Sequence, residues 1–345
     1  MNMKMMMAIL LFGVLGLGCT NPIASPTGSR TSAAPLVDRQ FTIIDAHAHL
    51  GGSFNWDTIV AAMNRNGVSK QVVMARYYEG LSILGADEPG SDELALKLAE
   101  AHPGRFYPLI GMQRPILTGP RKWNKPDRDM ESLIQGTERK LQSGKFFGVG
   151  EFIVRHWSYA PKPGPHDEQD NPIYSELMRR FSALAARFDV PIVIHMEGYP
   201  KLVADFSRLL SEYPATRYVW AHNCGRSKGF VISELLSRFP NLFCDLGGMT
   251  NPPGYRHYGS GWPRMEEFTS LIERDGVLLP EMRALYEKFP DRFMVGTDLA
   301  HAPYMKIANY SAHVGRFREL LGQLNPETRA KIAELNAIRI FKLAR

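Results

Sequence analysis

Short apolar runs alternate with longer segments of helical period eight times between Phe41 and Leu321, and few folds accept that rhythm. The apolar runs fall at about 42–47, 70–75, 106–112, 147–153, 191–196, 217–222, 242–246 and 293–298. Between and after them lie Trp56–Asn66, Ser91–Ala101, Asp129–Ser143, Ile173–Phe188, Lys201–Tyr213, Lys228–Phe239, Met282–Phe289 and Ser311–Leu321, with Glu327–Phe341 closing the chain. Runs such as Pro191-Ile-Val-Ile194 are apolar without alternation. That suits strands buried on both faces, as in a parallel sheet covered by helices. Eight β–α repeats in succession predict an α/β fold, a (β/α)8 TIM barrel with an extra C-terminal helix, over residues 41–345. A dinucleotide-binding sheet is disfavoured. The first strand runs into Ala46-His-Ala-His-Leu-Gly-Gly52, not into a glycine-rich phosphate loop.

Composition agrees with one folded domain. The 345 residues are 44% apolar and 22% charged, enough to bury a core without a disulfide framework. The remaining cysteines of the barrel region, Cys224 and Cys244, stand near strand ends, and their spacing decides neither a bond nor free thiols. The net charge of +6 is scattered, with no basic run and no interleaved aromatics, so no nucleic-acid partner is expected. A small-molecule substrate is the expected partner, and the sequence leaves an oligomer open.

Residues 1–18 read as an export signal: Lys4, then an apolar run from Met5 to Leu17, then small residues. The run is shorter than the ~20 residues of a membrane-spanning helix. Leu17-Gly18-Cys19 resembles a bacterial lipoprotein signal, although Gly16 stands where such signals usually carry Leu. The resemblance implies lipidation at Cys19, and Thr20 after it implies the outer membrane. Membrane contact would then run only through that anchor. The alternative is an ordinary cleaved signal and a periplasmic protein. Residues 19–40 are rich in Ser, Thr, Pro, Ala and Gly and read as a flexible tether.

The chemistry sits at strand ends. The first ends in Asp45-Ala-His47-Ala-His49, the fourth in Glu151, the fifth in His195, the sixth in His222 and the eighth in Asp298. In a (β/α)8 barrel these ends meet at one mouth. Imidazole and carboxylate suit Zn2+ and related divalent ions. His47 and His49, two apart, share a strand face.

As a set, these motifs resemble the amidohydrolase superfamily of metal-dependent hydrolases, in its amidohydrolase family 2 branch, over residues 41 to about 341. The resemblance implies one or two divalent ions per chain, Zn2+ first. His47, His49 and Asp298 would hold one. His195 and His222 would hold a second, with Glu151 bridging. Asp298 would also act as general base. If Glu151 does not bridge, the site is mononuclear and His222 becomes a catalytic or supporting group.

Each residue has a plainer reading. Asp298 suits a helix N-cap, His195 a satisfied core histidine, and Glu151 an ion pair with Arg155 or Arg76. Asp45 would receive a ligand imidazole N–H or cap a loop. For substrate, Arg155, Arg226 and Arg256 are carboxylate or phosphate clamps, and Tyr255, Tyr258, His301 and Tyr304 are pocket walls or oxyanion donors. Three functions are compatible with this set. One is a hydrolase acting on an amide, lactone, ester or phosphoester. The second is a mononuclear non-oxidative decarboxylase of a small aromatic or unsaturated acid. The third is a non-catalytic envelope lipoprotein that uses the barrel for binding.

Overall fold

The computed structural model describes residues 41–52, 55–77, 88–157, 168–250, 270–300 and 307–344. They form eight parallel strands: β1 (Ile43–Leu50), β2 (Val68–Arg76), β3 (Phe106–Gln113), β4 (Val149–His156), β5 (Ile192–Met196), β6 (Tyr218–Trp220), β7 (Leu242–Asp245) and β8 (Phe293–Met294). Each pairs with the next in chain order. Past Met294 the chain leaves regular strand geometry but stays on β1. Ala46 N donates to Val295 O at 2.8 Å, Asp298 N to His47 O at 2.9 Å and His49 N to Leu299 O at 2.7 Å. The result is a nearly closed barrel, the fold expected from the alternation.

Eight helices follow the strands in turn: α1 (Trp56–Asn66), α2 (Asp92–Ala101), α3 (Arg128–Gln142), α4 (Glu176–Phe188), α5 (Pro200–Glu212), α6 (Gly229–Arg238), α7 (Pro280–Lys288) and α8 (Ile307–Leu321). Local chemistry sets their starts. Ser91, Asp127 and Ser175 cap α2, α3 and α4 by accepting from Leu94 N, Met130 N and Met178 N. Pro200 and Pro280 open α5 and α7, where a missing N–H costs nothing. The Ser175 cap is why α4 begins three residues after the expected Ile173.

Two cores result. The outer one lies between strands and helices. There α4 buries Leu177, Met178, Phe181, Leu184 and Ala185, with Phe181 edge-on to Phe152 of β4 at 4.9 Å. Each of the larger side chains contributes about 1.5–3 kcal/mol by leaving water. The inner core fills one end of the barrel: Ile44, Val72, Leu109, Val193, Val219, Phe243 and Met294, joined by Ala337, Ile340, Phe341 and Leu343. The last four belong to the C-terminal segment. It runs from Pro326–Ala330 through a π turn at Lys331–Leu335 into Asn336–Phe341 and just beyond. The extra helix thus plugs the floor of the barrel.

Candidate metal centre

β1 changes parity where the site begins. Ile44 and Ala46 belong to the inner core, whereas Ala48 and Leu50 pack outside. A register shift between Asp45 and Ala48 accounts for the switch, and it brings His47 and His49 onto the interior side. Close approach of the opposite wall needs glycine. A Cβ on Gly296 would meet His47 Cβ at 2.7 Å, and one on Gly247 would meet Asp245 Oδ1 at 2.9 Å.

Expectation and structure differ at the sixth strand. The strand ends at Trp220, and His222 lies beyond it in a left-handed turn. His222, Asn223, Cys224 and Arg226 all have φ between 52° and 59°. Such backbone costs non-glycine residues roughly 1–2 kcal/mol each, so neighbours must enforce it. Cys224 is disulfide-bonded to Cys244, the question the spacing left open. Tyr286 Oη donates to Asn223 Oδ1 at 3.1 Å, and His222 N donates to Asp245 Oδ1 at 3.2 Å. The eighth strand likewise stops at Met294, short of the expected 298, so Asp298 rides on an irregular segment.

All six expected ligands converge. Glu151 is central. Its Oε1 lies 3.7 Å from His47 Nε2 and 3.5 Å from both His195 Nδ1 and His222 Nε2, and its Oε2 lies 3.5 Å from His49 Nε2. Asp298 Oδ1 lies 3.3 Å from His49 Nε2 and 3.6 Å from His47 Nε2. His47, His49 and Glu151 form one group able to hold an ion; Glu151, His195 and His222 form another. Two ligand atoms about 2.1 Å from a tetrahedral ion stand about 3.4 Å apart. Most of these separations match that span, which exceeds a hydrogen bond. His195 Nδ1 and His222 Nε2 are closer, at 2.7 Å. Gln113 Nε2 donates to Glu151 Oε2 at 2.8 Å, but the buried Oε1 has no hydrogen-bond partner. A buried carboxylate oxygen without a donor is costly, and a cation is the partner this donor set fits.

The electrostatics point the same way. Burial resists charge on Glu151, yet His47, His195 and His222 hold it well below the usual carboxylate range. Burial is likewise outweighed at Asp298, by His49, His222 and His47, and at Asp245, by His47. Burial opposes a charged His47 too, but Asp245 and then Glu151 push its imidazolium up to about 10. His49, beside it, is lowered, chiefly by burial. Carboxylates are held down here while the His47 and His195 imidazoles are held up, so the cluster favours added positive charge. A divalent ion is the natural source of that charge.

Several plainer readings give way. Glu151 meets histidines and Gln113 instead of Arg155 or Arg76. Asp45 accepts from the His47 backbone N–H, Gln71 Nε2, Thr297 N and Thr297 Oγ1 and from no imidazole, so it ties β1 to the Asp298 segment. The carboxylate that receives His47 Nδ1, at 2.9 Å, is Asp245. No local motif marks Asp245, and its position as the last residue of the seventh strand is the one signal for it in the sequence. Glu197 is unmarked as well. It sits two residues after His195, 3.4 Å from its Nε2, and pairs with Arg226 at 2.7 Å. Arg226 is thereby buried beside the site, with its guanidinium turned to Glu197. The Arg155 guanidinium donates to Gln169 O at 2.9 Å and lies over the Trp157 ring. Tyr255, Arg256, Tyr258, His301, Tyr304 and Cys19 lie outside the described residues.

The amidohydrolase family model matches residues 44–343. The chain belongs to that family. No match to this amidohydrolase is found among curated proteins. Solved structures share its fold. 5-Carboxyvanillate decarboxylase from Sphingomonas paucimobilis aligns at 13% identity and TM-score 0.51, covering 88% of this chain and 99% of the other. Dihydroxybenzoic acid decarboxylase from Polaromonas sp. JS666, with bound manganese and the inhibitor 2-nitroresorcinol, aligns at 14% and 0.50, covering 88% and 98%. An Agrobacterium tumefaciens protein aligns at 13% and 0.53, covering 88% and 94%.

Proposed function

We propose that this amidohydrolase is a metal-dependent hydrolase of a small-molecule amide, lactone, ester or phosphoester. The observation that carries the reading is Glu151, shared between a His47/His49 group and a His195/His222 group. That arrangement favours a bridged pair of ions. His47, His49 and Asp298 would hold one, and His195 and His222 the other. Zn2+ is the proposed ion, and a relative is described with manganese. Such ions, when bound, supply Lewis acidity and activate water near neutral pH.

The protein's own groups divide the remaining work. Asp298 keeps 20% side-chain exposure, against 0–6% for the histidines and Glu151. It is the carboxylate that reaches the mouth, where it can take a proton from an attacking water and pass it to the leaving group. Glu151 and Asp245 stay charged and behind it. The buried carboxylates also speak against a purely scaffolding barrel, since ionised groups this deep are costly without a bound cation.

The test is metal content by elemental analysis of the barrel beside a Glu151→Ala variant, with an ester, lactone and phosphoester panel. Close to two ions per chain, falling in the variant, is the expected result. One ion, unchanged by the variant, favours the second reading, a mononuclear decarboxylase. The decarboxylases among the fold relatives motivate that reading, and CO2 release from hydroxybenzoates is its assay. Export and lipid anchoring through Cys19 belong to the proposal too, and mass spectrometry of the mature N-terminus tests them. No described helix is long and apolar enough to cross a membrane.

A further inference from the structure

We infer that Asp245 is the positioning residue of the metal centre: it fixes which nitrogen His47 presents to the ion and holds the left-handed turn that carries His222. The inference rests on the proposed metal site and concerns how that site is kept ready.

Both oxygens of Asp245 are used, toward different parts of the site. Oδ2 lies 2.9 Å from His47 Nδ1. Oδ1 accepts from His222 N at 3.2 Å and from Gly247 N at 2.8 Å. A carboxylate only accepts, so the hydrogen at His47 must sit on Nδ1. That leaves Nε2, the atom facing Glu151 and Asp298, as the lone-pair donor for an ion. Gly247 O lies 2.8 Å from His222 Nδ1. A carbonyl also only accepts, so His222 has its hydrogen on Nδ1 as well and offers Nε2 toward Glu151. Asp245 thus acts on His47 directly. It acts on His222 through two backbone N–H groups, one belonging to the residue whose carbonyl orients that ring.

The surroundings match that task. Asp245 is fully buried. Its neighbour Cys244 is bonded to Cys224, two residues past His222, so the turn and the end of β7 are tied twice. Glycine at 247 leaves room for the pair, since a Cβ there would meet both Asp245 Oδ1 and His47 Nδ1, at 2.9 and 3.2 Å.

Asparagine at 245 has nearly the same shape but one acceptor oxygen. If that oxygen keeps the backbone N–H groups, the amide NH2 faces His47 Nδ1. The ring must then accept there and place its hydrogen on Nε2, toward the ion. The experiment is Zn2+ titration of the metal-stripped wild type and Asp245→Asn, with melting of both metal-free proteins. Expected is a roughly 10- to 100-fold loss of affinity at one class of site, with the other class retained and a cooperative metal-free melt that shows the variant folded. Wild-type binding in the variant overturns the inference alone. So does equal loss at both classes, which marks a merely structural residue. A wild type that takes up no Zn2+ overturns the metal reading first, and this inference with it. Should Asp245→Asn fail to fold, 15N spectra of histidine in the zinc-loaded wild type decide. A hydrogen on His47 Nδ1 supports the inference, and one on Nε2 overturns it.

Discussion

The two ends of the barrel are built from opposite materials. The floor is apolar. Val72, Leu109, Val193, Val219, Phe243 and Met294 meet Ile340 and Phe341 of the C-terminal helix, and the nearby guanidiniums of Arg292 and Arg339 lie over the Phe243 ring. The mouth, at and just past the C-terminal ends of the same barrel's strands, buries His47, His49, Glu151, His195, Glu197, His222 and Asp245. One end is held by area removed from water, which tolerates approximate shapes. The other is held by hydrogen bonds and ion pairs, which fail when one partner is lost. Stability and chemistry are thereby separable, as expected of a barrel whose strands all point the same way.

The largest expected effect tests the mouth alone. Asp298→Asn should lower turnover on any substrate found by about 10²- to 10⁴-fold, with the far-UV spectrum little changed. A variant that loses its helical spectrum instead would break the separation. The floor should give the mirror result. Phe341→Ala should cost about 3–5 kcal/mol in denaturant unfolding while zinc stoichiometry stays at the wild-type value. Metal lost in proportion to stability would mean the two ends are one cooperative unit.

The disulfide tests the join between the two regions. The Cys224–Cys244 bond closes a loop with a sequence separation of 20, and the Cys224→Ser/Cys244→Ser variant should lose about 2–4 kcal/mol. It should also bind zinc more weakly at the His195/His222 group than at the His47/His49 group, by competition titration with a chelator.

The smallest effect is a pH dependence of the metal-free protein. His47 is raised from 6.5 to about 10, so its contribution to stability is complete below 6.5 and fades as pH rises toward 10. Glu151, Asp245 and Asp298 are held below their ordinary 4.5, 3.8 and 3.8, so theirs is complete above those values and lost as pH falls further. His49 is lowered, so its contribution is lost as pH falls below 6.5, and metal-free melting should therefore be highest near pH 6.5. With zinc bound the alkaline decline should vanish, because ligand imidazoles must be unprotonated. A flat metal-free profile on the alkaline side would remove His47 as the countercharge of the cluster.

The barrel was legible in the sequence because its cause is local. Burial on both faces demands apolar runs, helices demand their own period, and caps such as Ser91 and Asp127 mark where helices start. The six candidate ligands were legible because strand ends of a barrel converge whatever the loops do. Asp245 obeyed the same rule and was overlooked, since a single Asp after Phe-Cys carries no motif of its own.

Tertiary structure alone decided the rest, and the reason is distance along the chain. Whether Glu151 would face Arg155, Arg76 or the histidines depends on how β4 is turned against β1, β5 and β6. The sequence offers Asp45 as the partner of His47, but the closed barrel sets Asp45 against the Asp298 segment and Asp245 against the ring. The left-handed turn at His222 has no local signal, because non-glycine residues adopt it only when a disulfide, Asp245 and Tyr286 from distant elements hold them there. The sequence by itself determined the fold and the residue types of the mouth. Which nitrogen and which oxygen face one another was decided only when eight strands met.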